Sequence, residues 1–207
     1  MINQLISGLT PKAQFRSGKA LLMASLMSLG GFSLGWQKLV EARESIQATS
    51  ALSWSEASFP VENFQEYTSP FGYRSSGFHY GLDMAAPQGS YIRNWWTGTV
   101  VEVWEDGRCG TGIAIDSGQW THIYCHVQGS VAKDASGRTY FIDRQGGIQL
   151  WEGQVVASGA RIARVGMTGR TTGPHLHWGL KYSGRWVDPG RVLMAMYNEQ
   201  NQRYSRR

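Results

Sequence analysis

The chain has 207 residues, enough for one domain with appendages. It has 26 glycines and 9 tryptophans against only 17% charged residues, a balance that suits short strands and tight turns. Collagen, coiled coil and chain-wide disorder are excluded, and 42% apolar residues suffice for a core.

Residues 1–19 form a basic N-terminal segment, with Lys12, Arg16 and Lys19 ahead of an uncharged run at 20–36, ALLMASLMSLGGFSLGW. Positive charge followed by a hydrophobic stretch is the physical signature of export, as a cleaved signal peptide or a retained membrane anchor. The run has 17 residues, at the short end of what crosses about 30 Å of hydrocarbon as a helix. Ser33-Leu34-Gly35 supplies small residues for cleavage but no A-x-A site. The positive flank places the N-terminus in the cytoplasm and all that follows outside it. The expected location is the periplasm or cell envelope, with 20–36 as the tether if it is retained.

Residues 37–65 read as a continued helix passing into a Ser-rich linker. From 66 to 192 the texture is all-β. Short β-branched and aromatic runs (TGTVVEVW, TGIAIDSG, WTHIYCHV, RTYFID, GIQLW, HLHWGLKY) alternate with Gly-rich turns. A long helical period appears only at RVLMAMYNEQ, and residues 193–207 read as a basic C-terminal tail whose last part, 197–207, is solvated. The formal charge of +5 divides along these lines. Residues 1–44 carry +3 and 197–207 carry +2, whereas 45–196 hold twelve charges of each sign. The β region is therefore neutral and offers no nucleic-acid surface.

All five histidines lie in mid-chain: His79, His122, His126, His175 and His177. His175 and His177 stand two apart on a strand and so share a face. His79 and Asp83 do the same if their segment is extended. Two imidazoles and a carboxylate suffice as protein ligands of a catalytic zinc, with one position left for water. Tyr124-Cys125-His126 reads as a strand with Tyr124 and His126 on one face and Cys125 on the other, which argues against Cys125 as a ligand. His122 would lie about 13 Å from His126 along that strand and reads as structural.

In order, Ser69-Pro70-Phe71-Gly72-Tyr73-Arg74, HYGLDMAAP, YCHV, GMTGRTTGPHLHWGL and Val187-Asp188-Pro189 resemble the lysostaphin-type zinc endopeptidases, over about 120 residues. The resemblance implies a compact antiparallel β fold of the duplicated-hybrid-motif type with a metal-site groove, preceded here by the N-terminal hydrophobic helix. It implies Zn2+ held by His79, Asp83 and His177, with His126 and His175 assisting catalysis, and leaves open which of the two is the base. The implied substrate is peptidoglycan, cut at its peptide bonds. The alternative is a non-catalytic wall-binding or hydrolase-activating module on the same fold. Such relatives tend to lose metal ligands, whereas this chain keeps all five positions. An unregulated wall hydrolase endangers its producer, so a regulatory protein partner is compatible with this reading, although no residue identifies one.

Three further expectations arise. Cys109 and Cys125 are the only cysteines, and in an exported domain they either form one disulfide or stay as buried thiols. Trp95, Trp96, Trp104 and Trp120 belong to the core or to sheet packing, and Trp178 faces away from the metal. Compared with the family layout, residues 127–152 are an insertion. Its RTYFIDRQGGIQLW portion reads as a hairpin closed by Gln145-Gly146-Gly147 at the groove rim, where it either sets substrate width or decorates the surface.

Overall fold

Apolar residues alternating between Gly-rich turns build sixteen strands among residues 54–206, the part of the chain that the computed structural model describes. The N-terminal segment at 1–19, the hydrophobic run at 20–36 and the first part of the linker fall outside those residues. Among the described residues no helix is long and apolar enough to cross a membrane. A 3-10 turn at Trp54–Glu56 leads into β1 (Glu66–Ser69), β2 (Gly72–Arg74), β3 (Gly77–His79), β4 (Leu82–Ala85) and β5 (Tyr91–Arg93). There follow β6 (Gly98–Asp106), β7 (Gly110–Ser117), β8 (Trp120–Cys125), β9 (Val127–Gln128), β10 (Ser130–Lys133) and β11 (Thr139–Asp143). The remaining elements are β12 (Ile148–Trp151), β13 (Val155–Val156), β14 (Arg161–Val165), β15 (His175–Tyr182), β16 (Arg185–Val187) and helix α1 (Pro189–Tyr204).

The principal sheet has the order β1-β4-β15-β8-β7-β6-β13, with β16 also paired to β15. Strand β15 is its centre. It pairs β8 along one side, and along the other it pairs first β4 and then β16. One face of this sheet buries Ile113, Ile115, Trp120, Tyr124, Leu176, Trp178 and Leu180. Aromatic rings cluster there. Trp95 lies 5.6 Å from Trp178 and 5.3 Å from Trp120, centroid to centroid. Smaller sheets (β5-β14-β9, β10-β11-β12 and β2-β3) flank the principal one.

Two boundaries differ from the sequence reading, both because of apolar burial. The expected linker does not extend through 54–65. Trp54 is 2% exposed and sits 5.7 Å from Trp95, and Val61 is buried and bridges to Ile92. The helical period at RVLMAMYNEQ forms α1, which runs into the expected C-terminal tail as far as Tyr204, while most of 197–206 is exposed as read. Asp188 caps α1 by accepting from the Gly190 N–H at 2.9 Å, and Pro189 opens its first turn. Val192, Leu193 and Met196 are buried at helical spacing. Gln200 then donates to the Trp54 and Ala57 carbonyls at 2.9 and 3.1 Å. Helix α1 thereby holds the start of the described chain, a contact that its helical period alone does not announce.

The insertion is a hairpin, as expected, in which β11 and β12 pair through Tyr140↔Trp151 to Asp143↔Ile148. Strand β10 adds a third member. Arg164 donates to both oxygens of Asp143, at 2.6 and 2.9 Å, and so bolts the hairpin to β14.

Candidate metal centre

Strand pairing assembles the site. His177 on β15 is the Cα partner of Asp83 on β4, so the two side chains lie on one face of the sheet, opposite the aromatic core. The β2–β3 hairpin ends on His79 and swings it over the same point. His79 Nε2 lies 3.0 Å from Asp83 Oδ1 and 2.9 Å from His177 Nδ1, and His177 Nδ1 lies 2.8 Å from Asp83 Oδ1. The family resemblance implies these three residues as the ligand set, and the fold brings them together.

The donor set fits a divalent cation. His79 Nδ1 lies 2.7 Å from the Pro70 carbonyl, which can only accept, so Nδ1 carries the proton. Nε2 is then the ring atom that faces the carboxylate oxygen. With His177 Nδ1 beside them, three potential ligand atoms converge on one point. A cation can take the place of the protons that otherwise join them, and two imidazoles with one carboxylate match the ligand preferences of zinc. Burial alone would push the Asp83 carboxyl up, but contacts with His177 and His79 more than offset it and hold the group well below the usual carboxylate range.

His126 and His175 stand beside this cluster, with their ring centroids 4.8 Å apart. The His126 ring is 6.0 Å from that of His177, and His175 Nε2 is 3.7 Å from Asp83 Oδ1. Each fixes its tautomer on a backbone carbonyl. His126 Nδ1 donates to Thr168 O, and His175 Nδ1 donates to Gly173 O, both at 2.9 Å. A neutral ring held in this way keeps its lone pair on Nε2. Burial pushes the His126 imidazole down, partly opposed by the Thr168 hydrogen bond.

Tyr124 and His126 do not share a face, contrary to the expectation from alternation. Strand β8 ends at Cys125, and His126 turns into the left-handed region at φ 61°. Tyr124 points into the core, where its hydroxyl accepts from the Trp95 N–H at 2.9 Å. Cys125 is instead the register partner of His177 and is bonded to Cys109 in a disulfide, which excludes it as a ligand. His122 is fully buried on the core side, between Ser117 Oγ at 2.7 Å and Tyr124 OH at 2.9 Å.

Burial pushes the His122 imidazole down to about 3, so the folded protein keeps it neutral. The unfolded chain takes up a proton near pH 6.5, which the folded chain refuses until about 3. This contribution to stability is complete above pH 6.5 and is lost as pH falls through that window. In His122→Gln, urea-unfolding free energy measured from pH 7 to 4 should fall less steeply, by about one proton or ~1.4 kcal/mol per pH unit. An unchanged slope would refute the assignment.

The tryptophans follow the reading in the main. Trp95, Trp120 and Trp178 are buried, and Trp96 packs against the core. Trp104 covers Gly112 at the sheet surface and donates to Asp106 at 3.0 Å.

Two residues acquire roles that the motifs alone did not give. A Cβ on Gly81 would stand 2.4 Å from His177 Cε1, so the bare glycine makes room for the imidazole. Arg74, within the SPFGYR motif, donates from Nη2 to Asp83 Oδ2 at 3.1 Å, on the side away from the histidines. Only the fold, which lays β2 beside Asp83, reveals this. Partners of ligand carboxylates typically contribute 10–100-fold in metal affinity. Arg74→Ala should therefore weaken metal retention about 10-fold in a chelator competition, with Arg74→Lys recovering part of the loss. Equal retention in all three proteins would dismiss the clamp.

The model of peptidase family M23 matches residues 77–189. Among curated relatives, the peptidoglycan DD-endopeptidase ShyA of Vibrio cholerae is 32% identical over 119 residues, 57% of this chain and 24% of the relative. The chain spans about a quarter of the length of the curated relatives it matches. A zinc-containing peptidase from Vibrio cholerae superposes with a TM-score of 0.51 at 27% identity, covering 68% of this chain and 39% of that one. Lysostaphin from Staphylococcus simulans shares the fold, with a TM-score of 0.53 at 21% identity over 70% of this chain and 55% of its own.

Proposed function

Since the chain belongs to peptidase family M23, we propose that it is a zinc-dependent endopeptidase that hydrolyses peptide bonds in peptidoglycan. The observation that carries this reading is the meeting of His79 Nε2, Asp83 Oδ1 and His177 Nδ1 beside two further imidazoles with fixed tautomers. ShyA, named for its action on peptidoglycan, and the zinc-containing peptidase supply the substrate and the metal by likeness.

His79, Asp83 and His177 would hold the ion, with Arg74 securing the second Asp83 oxygen. Zinc, when bound, supplies Lewis acidity toward the scissile carbonyl and lowers the pKa of water. His126 serves as the base. Its Nδ1–H is committed to Thr168, burial keeps the ring neutral, and Nε2 takes the proton of the attacking water. His175, whose Nδ1–H is held by Gly173, serves in its protonated form as the Nε2–H donor that steadies negative charge on the carbonyl oxygen, and His126 returns the proton it has taken to the leaving amine. The disulfide accords with an exported location.

The deciding experiment incubates purified peptidoglycan with the protein, zinc-loaded or treated with chelator, and measures newly released amino termini. Release by the zinc-loaded protein alone is the expected result. Binding to the wall without release would favour the non-catalytic module.

A further inference from the structure

We propose that the Cys109–Cys125 disulfide is a positioning device for His126, so that turnover, but not metal binding, depends on the bridge being closed. This rests on the reading of His126 as a catalytic residue. The backbone of His126 is left-handed, at φ 61°, a region disfavoured for any residue carrying a Cβ and therefore one that its surroundings must impose. Three contacts impose it. The His126 N–H donates to the Cys109 carbonyl at 2.8 Å, the His126 carbonyl accepts from Gly166 at 3.0 Å, and the ring donates to Thr168 O.

The Cys109 loop governs the first contact directly and the third indirectly. The N–H groups of Arg108 and Cys109 bond to Asp106 Oδ1 at 2.7 and 2.6 Å, which shapes the loop. From this loop the Arg108 carbonyl accepts from Arg170 N at 3.0 Å, and from the start of β7, directly after it, the Thr111 N–H donates to Thr168 Oγ1 at 3.0 Å. The loop thus carries the acceptor for the His126 backbone and braces the segment that holds its ring. The disulfide joins this loop to Cys125, the residue immediately before His126.

A simple staple of the sheet would not need this place. Strands β7 and β8 are already paired from Ser117↔Trp120 to Ile113↔Tyr124. The bridge lies just beyond that last pair, at the point where the ladder stops and the chain turns left-handed. His79 and Asp83 reach their positions through the β2–β3 hairpin and β4, and neither touches the Cys109 loop in the hydrogen bonds that fix them. His177 is the register partner of Cys125, but it is held from the other side by its pairing with Asp83 on β4. Opening the bridge should therefore spare the metal cluster.

The test reduces the full-length, zinc-loaded protein with a water-soluble trialkylphosphine. The phosphine supplies two electrons and, with water, becomes its oxide while the disulfide becomes two thiols. The reagent is removed anaerobically before peptidoglycan turnover, KM, zinc content and near-ultraviolet circular dichroism are measured. The expected result is a 10–100-fold fall in kcat, with KM and zinc content changed less than threefold and kcat restored on reoxidation. Cys109→Ala/Cys125→Ala should reproduce the reduced state and be insensitive to phosphine. Unchanged kcat in either form overturns the proposal. So does loss of zinc or of the dichroism signal in both forms, which makes the bridge a support of the whole fold. His126→Asn in the oxidised protein separates the premises: if it turns over like the parent, the role of His126 in catalysis has failed, not the coupling to the bridge alone.

Discussion

His177→Ala should lose both metal and activity, whereas His175→Ala should lose activity and keep the metal. The two residues share one face of β15, and only the register distinguishes them. His177 is opposite Asp83 and brings Nδ1 to 2.8 Å of its oxygen, whereas His175 Nε2 stops at 3.7 Å. Removing one of three ligands should cost more than the 10–100-fold attached to an outer partner, so a retention loss of at least about 10³-fold is expected. Hydrolysis should fall with it, to the level of the chelator-treated parent. For His175→Ala, the loss of one proton-transfer or oxyanion-stabilising group predicts a fall of about 10²–10⁴-fold in kcat, with zinc content unchanged. Thermal unfolding reports the difference without any substrate. Zinc should raise the melting temperature of the parent and of His175→Ala, and leave that of His177→Ala unmoved. A zinc-induced rise in His177→Ala equal to that of the parent would remove His177 from the ligand set.

Gly81→Ala should come close to the effect of losing a ligand, although Gly81 touches no metal. The added methyl would meet His177 Cε1 at 2.4 Å, Nε2 at 2.6 Å and the Trp178 carbonyl at 2.9 Å. The carbonyl cannot retreat, because β15 is paired on both sides at that point. The imidazole must move instead, and with it Nδ1. A displacement of this kind leaves the side chains present but misplaced, so a fall in zinc retention of about 10²-fold is expected, with hydrolysis falling in parallel. Gly173→Ala offers the contrast, since nothing lies within 4 Å of the position a Cβ would take there. If Gly81→Ala binds zinc as tightly as Gly173→Ala does, the steric account is wrong.

The shared faces of the metal cluster are legible in the sequence because they depend on strand alternation and short local spacings, whereas the choice of His177 over His175 as ligand rests on the family resemblance. His175 and His177 share a face by periodicity, and His79 and Asp83 stand close along the chain. What was hidden depends on breaks in periodicity or on long-range approach. The left-handed residue at 126 ended the alternation that placed Tyr124 beside it. Arg74 reached Asp83 only because a hairpin folds over β4. The packing of Trp54 beneath α1 spans 146 residues between Trp54 and Gln200, and no local pattern announces such a contact. The cysteine pair was an even choice until the fold brought the Cys109 loop to the end of β8.

The principal sheet also bears on how the described domain meets copies of itself. An open sheet exposes unpaired N–H and C=O groups along its margins, which invites edge-to-edge assembly of one molecule on another. Here every open margin is short. At one, β1 is four residues long and its register slips between Tyr67 and Ser69. At the opposite end, β13 offers only two residues, Val155 and Val156. Beside β15, β16 adds a third edge of three residues, Arg185–Val187. A neighbouring molecule finds too little regular backbone at any of these margins to begin a continuous ladder. The irregular strand ends therefore act as a guard against aggregation.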